Sequence, residues 1–173
     1  QAEAFSGAEI KHGPMALIEA GYPLLVLATR GPALQGLVEL AAAAGLRSLF
    51  VGFETLNSTN LAAQHKVQNL NRDYTAAIRR LHDNGVMVNG SFVFGMDEDD
   101  ENVFGHTVDW AVAQGIETAT FHILTPYPGT ALHERMTAAG RMLHEEWDLY
   151  DTRHVVFQPA RLSPAALEAG YWR

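Results

Sequence analysis

Short apolar runs alternate with longer amphipathic stretches along this chain, and that alternation limits its fold more than any other feature. "PLLVLA" (23–28), "SLFVGF" (48–53), "VMVNGSFVFG" (86–95) and "TATFHIL" (118–124) are compact and apolar, and each reads as a buried strand. The intervening stretches carry helical period and helical punctuation. "ALQGLVELAAAAG" follows Pro32, which suits a first helical turn, and stops at Gly45. "NRDYTAAIRRLHDNG" has Asp73 as a plausible N-cap and Tyr74, Ala77, Ile78 and Leu81 on one face. "DDENVFGHTVDWAVAQG" reads as a helix with acids in its first turn, where the helix dipole favours them. "ALHERMTAAG" and "SPAALEAGYW" are shorter, the second with Ser163 as N-cap and Pro164 at its first position. Upstream, "SGAEIKHGPMALIEA" reads as a helix broken near Gly13 and Pro14; downstream, "HVVF" (154–157) reads as a short strand.

Strands joined by helices of ten to fifteen residues run parallel through right-handed crossovers. The expected fold class is therefore α/β: parallel βα units that form a partial (half) TIM-type barrel, or an open parallel sheet with helices packed on it. A chain of 173 residues, 47% of them hydrophobic, can bury one such core.

The formal charge of −8 speaks against a nucleic-acid groove or a polybasic membrane contact, since both need clustered Lys and Arg. No apolar run approaches the ~20 residues of a spanning helix, and no signal peptide is visible. The expected location is cytoplasmic. The first residue is Gln1 rather than methionine, so the natural start is expected upstream. Open parallel edges expose unpaired backbone groups, so a homodimer through the sheet edges is the expected partner state.

Cysteine is absent, which removes disulfides, thiolate zinc sites, cysteine nucleophiles and any iron–sulfur cluster held by the chain itself. Eight histidines are scattered singly and make no H-E-x-x-H or similar set, so no metal site is expected. Dinucleotide and nucleotide loops (G-x-G-x-x-G, G-x-x-x-x-G-K-[ST]) and a G-x-S-x-G elbow are also missing.

In parallel α/β folds, ligands bind beyond the carboxyl ends of the strands. Those ends carry Thr29 and Arg30; Glu54, Thr55 and Asn57; Gly95, Asp97 and Glu98; and Thr125, Tyr127 and Gly129. Each set also has a plainer reading: Glu54 as a turn cap, the acids 97–101 as a solvated helix start, and the Pro-Tyr-Pro-Gly loop as turn chemistry. A paired-carboxylate hydrolase using Glu54 with Asp97 or Glu98 stays open at this stage.

Two stretches resemble different families. Residues 2–32 contain Gly-x-x-x-Lys-His-Gly-Pro before a short helix and an apolar strand, and resemble the SIS-domain sugar-phosphate isomerases. The resemblance implies a ring-opening role for His12. The family's serine-rich phosphate loop and acid–base glutamate have no counterpart here. From about residue 36 onward, "FVGFETLN", "NGSFVFGMDEDDENVF", "TATFHILTPYPGTAL" and "WDLYDTRHVVF" resemble the C-terminal half of a radical SAM barrel, of the kind joined to an upstream cobalamin-binding domain.

That second resemblance implies S-adenosylmethionine contacts at Glu54 and Asn57. It also implies adenine contacts along Ser91-x-Val93-x-Gly95-x-x-Glu98, where the family has glycine in place of Ser91, and from Leu124 to Tyr127. The family's C-x-x-x-C-x-x-C loop is absent, so no 4Fe–4S cluster is expected on this chain; no cofactor is expected at all, with S-adenosylmethionine as the alternative that the resemblance leaves open. Residues 1–35 and 36–173 are thus expected as an SIS-like segment and a half-barrel packed as one domain, meeting inside the helix between Leu34 and Gly45. The resulting expectation is a chimeric or truncated α/β domain, non-catalytic alone. A residual S-adenosylmethionine binder and a sugar-phosphate isomerase or binder centred on His12 are the alternatives.

Overall fold

The computed structural model describes residues 33–63 and 73–173. His12, Pro32, the helix expected within residues 6–20 and the strand expected at 23–28 lie outside the described residues. The described elements are α1 (Ala33–Ala43), β1 (Ser48–Glu54), α2 (Ser58–Ala63), α3 (Tyr74–Asp83), β2 (Met87–Phe94), α4 (Val103–Ala113), β3 (Thr118–Ile123), α5 (Ala131–Ala138), a 3-10 turn (Trp147–Leu149) and α6 (Pro164–Tyr171). The three strands lie in the order β1-β2-β3 and run parallel, with Phe92 opposite Phe121 and Val93 opposite His122. This is the expected α/β class.

Helix ends follow the sequence closely. The chain leaves α1, α3, α4 and α5 through the same turn, at Gly45, Gly85, Gly115 and Gly140, each with φ between 65° and 107°. In each, the glycine N–H bonds three residues back and the next N–H reaches five back, as in Leu46 N to Ala41 O and Val86 N to Leu81 O. Only glycine takes that backbone conformation without strain, and the double bond satisfies carbonyls that a helix end leaves open. Helix starts are capped by Asp73 on Ala76 N, Thr130 on His133 N and Ser163 on Ala166 N.

The chain separates into two compact units. Described residues of the first are 33–49 and 73–88. Here α1 packs on α3. Val38 and Ala41, three apart, are buried, as are Ile78 and Leu81 of the expected stripe; Tyr74 and Ala77 are not fully covered.

The second unit, residues 50–63 and 89–173 among those described, holds most of the sheet. Strand alternation sends 53, 92, 94, 121 and 123 to one face. Phe53, Phe92 and Phe121 stack across the three strands with centroids 5.3 and 5.6 Å apart, and Phe94 stacks on Phe121 at 5.6 Å. From α4, Trp110 meets Phe53 and Phe92 edge-on and Phe104 meets Phe94 edge-on. Helix α6 packs on β3, and Leu167 and Phe157 close the same core.

Two expectations change. The acids do not lie in the first turn of α4: that helix starts at Val103, because Asp99 is drawn into the preceding loop and Asp100 turns the chain through Asn102. His154–Phe157 is not a regular strand. It contributes one isolated antiparallel bridge, Phe157 with Met142, between a turn built on Asp151 and the buried Pro159.

Candidate functional site

The other face of the sheet is different in kind. Alternation puts Gly52, Glu54, Ser91, Val93, Thr120 and His122 there, and of these only Ser91 is buried. Small and polar side chains stand where the opposite face has stacked rings. Glu54 ends β1 in the left-handed region, at φ 66°, although it is not a glycine. Strain of that kind costs about 1–3 kcal/mol and clusters at functional sites. Its carboxylate folds back over Gly52, so that a methyl group there would lie 3.0 Å from Glu54 Oε1.

The strand ends on this side are tied into one rim. Asn57 accepts from Thr59 N–H (2.9 Å) and Asn60 N–H (3.2 Å), and so opens α2. Asn60, only 1% exposed, donates from Nδ2 to Asp99 Oδ1 (2.8 Å) and accepts at Oδ1 from Glu98 N–H (3.0 Å). Asp99 Oδ2 accepts from the N–H groups of Gly95 (2.9 Å) and Met96 (3.0 Å). Burial raises the Asp99 carboxyl to about 6, against the pull of the Met96, Gly95 and Asn60 hydrogen bonds. Leu124 N–H then bonds Phe94 O (2.8 Å), which joins the end of β3 to that of β2.

The expected site residues fall out as follows. Glu54, Asn57, Gly95, Glu98 and Leu124 sit on this rim, and Val93 lies on the polar face beside His122. Gly95 is buried with φ 96°, and a side chain there would meet Leu167 Cδ2 at 2.7 Å. Glu98 pairs with Arg161. Tyr127 is 45% exposed, and its carbonyl accepts the Thr130 hydroxyl (2.7 Å).

Sequence reasoning missed three residues. Asp99 stood out from sequence only as one of the acids 97–101, and Asn60 fell in no motif. His122 was singled out by nothing in the strand run 118–124, yet Nδ1 of His122 and Oγ1 of Thr152 share a hydrogen bond of 3.1 Å, and Thr152 itself has φ 66°. Burial pushes the neighbouring Asp151 carboxyl up, but the N–H of Arg153 and both the ring and N–H of His154 hold it well below the ordinary range. The available signal was the parity that His122 shares with Val93 and Glu54.

No cysteine exists to ligate a cluster, and among the described residues no group of three or more His, Asp or Glu could hold a metal. The chain does not fit an iron–sulfur centre. Among the described residues no helix is long and apolar enough to cross a membrane.

No family model matches the chain. It is 39% identical over 124 residues to bacteriochlorophyllide d C-12(1)-methyltransferase of Chlorobaculum tepidum, covering 72% of this chain and 27% of that protein. Among solved structures it resembles TsrM, a radical S-adenosylmethionine methyltransferase from Kitasatospora setae with cobalamin and a 4Fe–4S cluster bound. There the TM-score is 0.53 and the identity 20%, over 79% of this chain and 28% of the other, a likeness of fold. A shorter match, 43% identical over 60 residues, is to the glutamine–fructose-6-phosphate aminotransferase of Halalkalibacterium halodurans, covering 33% of this chain and 10% of that protein. The chain spans about a quarter of the length of the methyltransferases it matches. Over most of its length it is thus similar to curated methyltransferases and shares the fold of a radical S-adenosylmethionine methyltransferase, and the likeness to the aminotransferase is partial.

Proposed function

We propose that this chain is a non-catalytic α/β unit derived mainly from a radical S-adenosylmethionine methyltransferase, and that its polar sheet face keeps the part of the site that holds S-adenosylmethionine. The strained carboxylate of Glu54, folded over Gly52 at the end of β1, carries this reading. The donor chemistry fits: a half-buried carboxylate can accept from ribose hydroxyls or from the ligand's ammonium group. Val93 and Leu124 supply apolar surface for the adenine, and Asn57 lies next along the rim. Asn60 and Asp99 touch no ligand in this scheme; they fix the loops that carry the other groups. When bound, S-adenosylmethionine supplies an electrophilic methyl group. The chain's own residues bind and orient it and hold no cluster, so cleavage by this polypeptide alone is not expected.

The partial match to the aminotransferase, over a third of this chain, is consistent with a chimeric reading in which residues 1–35 come from an isomerase lineage. In that reading His12 is a remnant without its catalytic companions. A homodimer through the sheet edges belongs to the same proposal, since β3 ends the described sheet and its first residues, Thr118–Thr120, are exposed.

Calorimetric titration with S-adenosylmethionine tests the central claim. Binding in the millimolar range or tighter is expected, with loss in Glu54→Ala. No heat from the unmodified chain would remove the ligand-holding role and leave an inert scaffold.

A further inference from the structure

A second feature of the larger unit has a different chemistry. A cavity of about 440 Å³ opens beside the loop after β2, with Asp97, Arg135 and Arg141 among its polar lining and Leu132, Met136 and Ala139 among its apolar lining. In a chain of net charge −8, this lining carries one positive charge. We infer that this cavity binds a small organic carboxylate with an apolar tail, seated on Arg135 and Arg141.

Arg141 is oriented in advance. Its Nε donates to Gln158 O (2.9 Å), its Nη2 donates to Asp97 Oδ1 (2.6 Å), and its guanidinium carbon lies 6.0 Å from the centre of the Phe157 ring. The side chain is 23% exposed. A guanidinium has five N–H groups, and those left over by these bonds have no acceptor among the described residues. Arg135, one helical turn before Ala139 on α5, makes no ion pair among the described residues. A planar fork held in place loses little freedom when it binds a carboxylate, and such charge-assisted pairs are the stronger kind.

Asp97 sets the charge that suits the cavity. With its carboxylate taking one edge of Arg141, the remaining charge matches a monoanion, whereas a doubly charged phosphate would face Asp97 uncompensated. The walls set the rest of the ligand. Met136 is buried and Leu132 half-buried, and a flexible thioether adapts to an aliphatic chain. The volume falls in the ordinary range for small-molecule sites.

The test uses the full chain and three probes: hexanoate, hexanol and inorganic phosphate, titrated while backbone amide resonances are followed. Hexanoate is expected to bind in the millimolar range and to shift residues of α5 and the loop after β2, with hexanol and phosphate at least severalfold weaker. Arg135→Gln lies on an exposed helical position, should fold normally, and is expected to weaken hexanoate about tenfold. Equal binding of hexanol, tighter binding of phosphate, or unchanged hexanoate affinity in Arg135→Gln would each overturn the inference. Binding of S-adenosylmethionine should be untouched in Arg135→Gln, and hexanoate binding untouched in Glu54→Ala, so the two readings fail separately.

Discussion

The two faces of one sheet have been put to opposite uses. On one, Phe53, Phe92, Phe94 and Phe121 form a stacked layer sealed by Trp110 and Phe104. On the other, Gly52, Glu54, Ser91, Thr120 and His122 present small and polar groups, one of them on a strained backbone. The same alternating backbone serves both, so the difference lies wholly in side chains of opposite parity. Aromatic burial is concentrated on the first face, while the second is left to small and polar groups, most of them only partly covered.

This contrast can be broken from either side. The largest effect belongs to the aromatic layer: Phe92→Ala is expected to cost about 3 to 5 kcal/mol through lost burial and a cavity, read by urea unfolding. Next comes the rim. Asp99→Ala leaves the Gly95 and Met96 N–H groups and the Asn60 amide without their acceptor, for an expected loss of about 2 kcal/mol.

The same carboxyl gives a pH signature. Its value is raised from 3.8 to about 6 by burial, so the fold favours the protonated form. That stabilisation is fully present below about pH 4 and is lost as pH rises through about 6. Asp99→Asn should therefore flatten the decline in stability between those values, an effect of up to ~3 kcal/mol measured by unfolding across pH. An unchanged pH profile in that variant would show that the rim carboxyl ionises as freely as an exposed one.

On the polar face, Glu54→Gly relieves the left-handed backbone strain but also removes the side chain that folds over Gly52, so its effects on stability oppose one another. Loss of S-adenosylmethionine binding is expected in calorimetric titration, and retained binding in this variant would mean that the polar face is not the ligand site. The smallest effect is at Thr120, which is exposed and makes one long hydrogen bond of 3.5 Å to Gly90 O. Thr120→Ala should stay within about 0.5 kcal/mol by the same unfolding measurement.

Much of this was legible in the residues. The three described strands, the caps at Asp73 and Ser163 and the exit at Gly45 follow from local rules, because a cap or a left-handed glycine acts on backbone groups within a few residues. Glu54 and Gly95 were found at the strand ends for the same reason: in a parallel fold, position along a strand tells which end a residue occupies. "DEDDEN" was misread because six polar residues in a row look alike until a partner chooses among them. The chain's freedom to turn at Asp100 and the reach of Asn60, 39 residues earlier, selected Asp99 for burial.

The amino-acid order by itself therefore determined the three described strands, the caps at Asp73 and Ser163, the exit at Gly45 and the lack of any thiolate to hold a cluster, since each depends on near neighbours or on composition alone. Tertiary structure decided which carboxylate lies buried in the rim, that Glu54 adopts a left-handed backbone, and that Arg141 is braced by Gln158 and Asp97 at a cavity wall. Those outcomes rest on contacts between segments far apart in the chain, where burial and hydrogen bonding set the free energy and no local propensity encodes them.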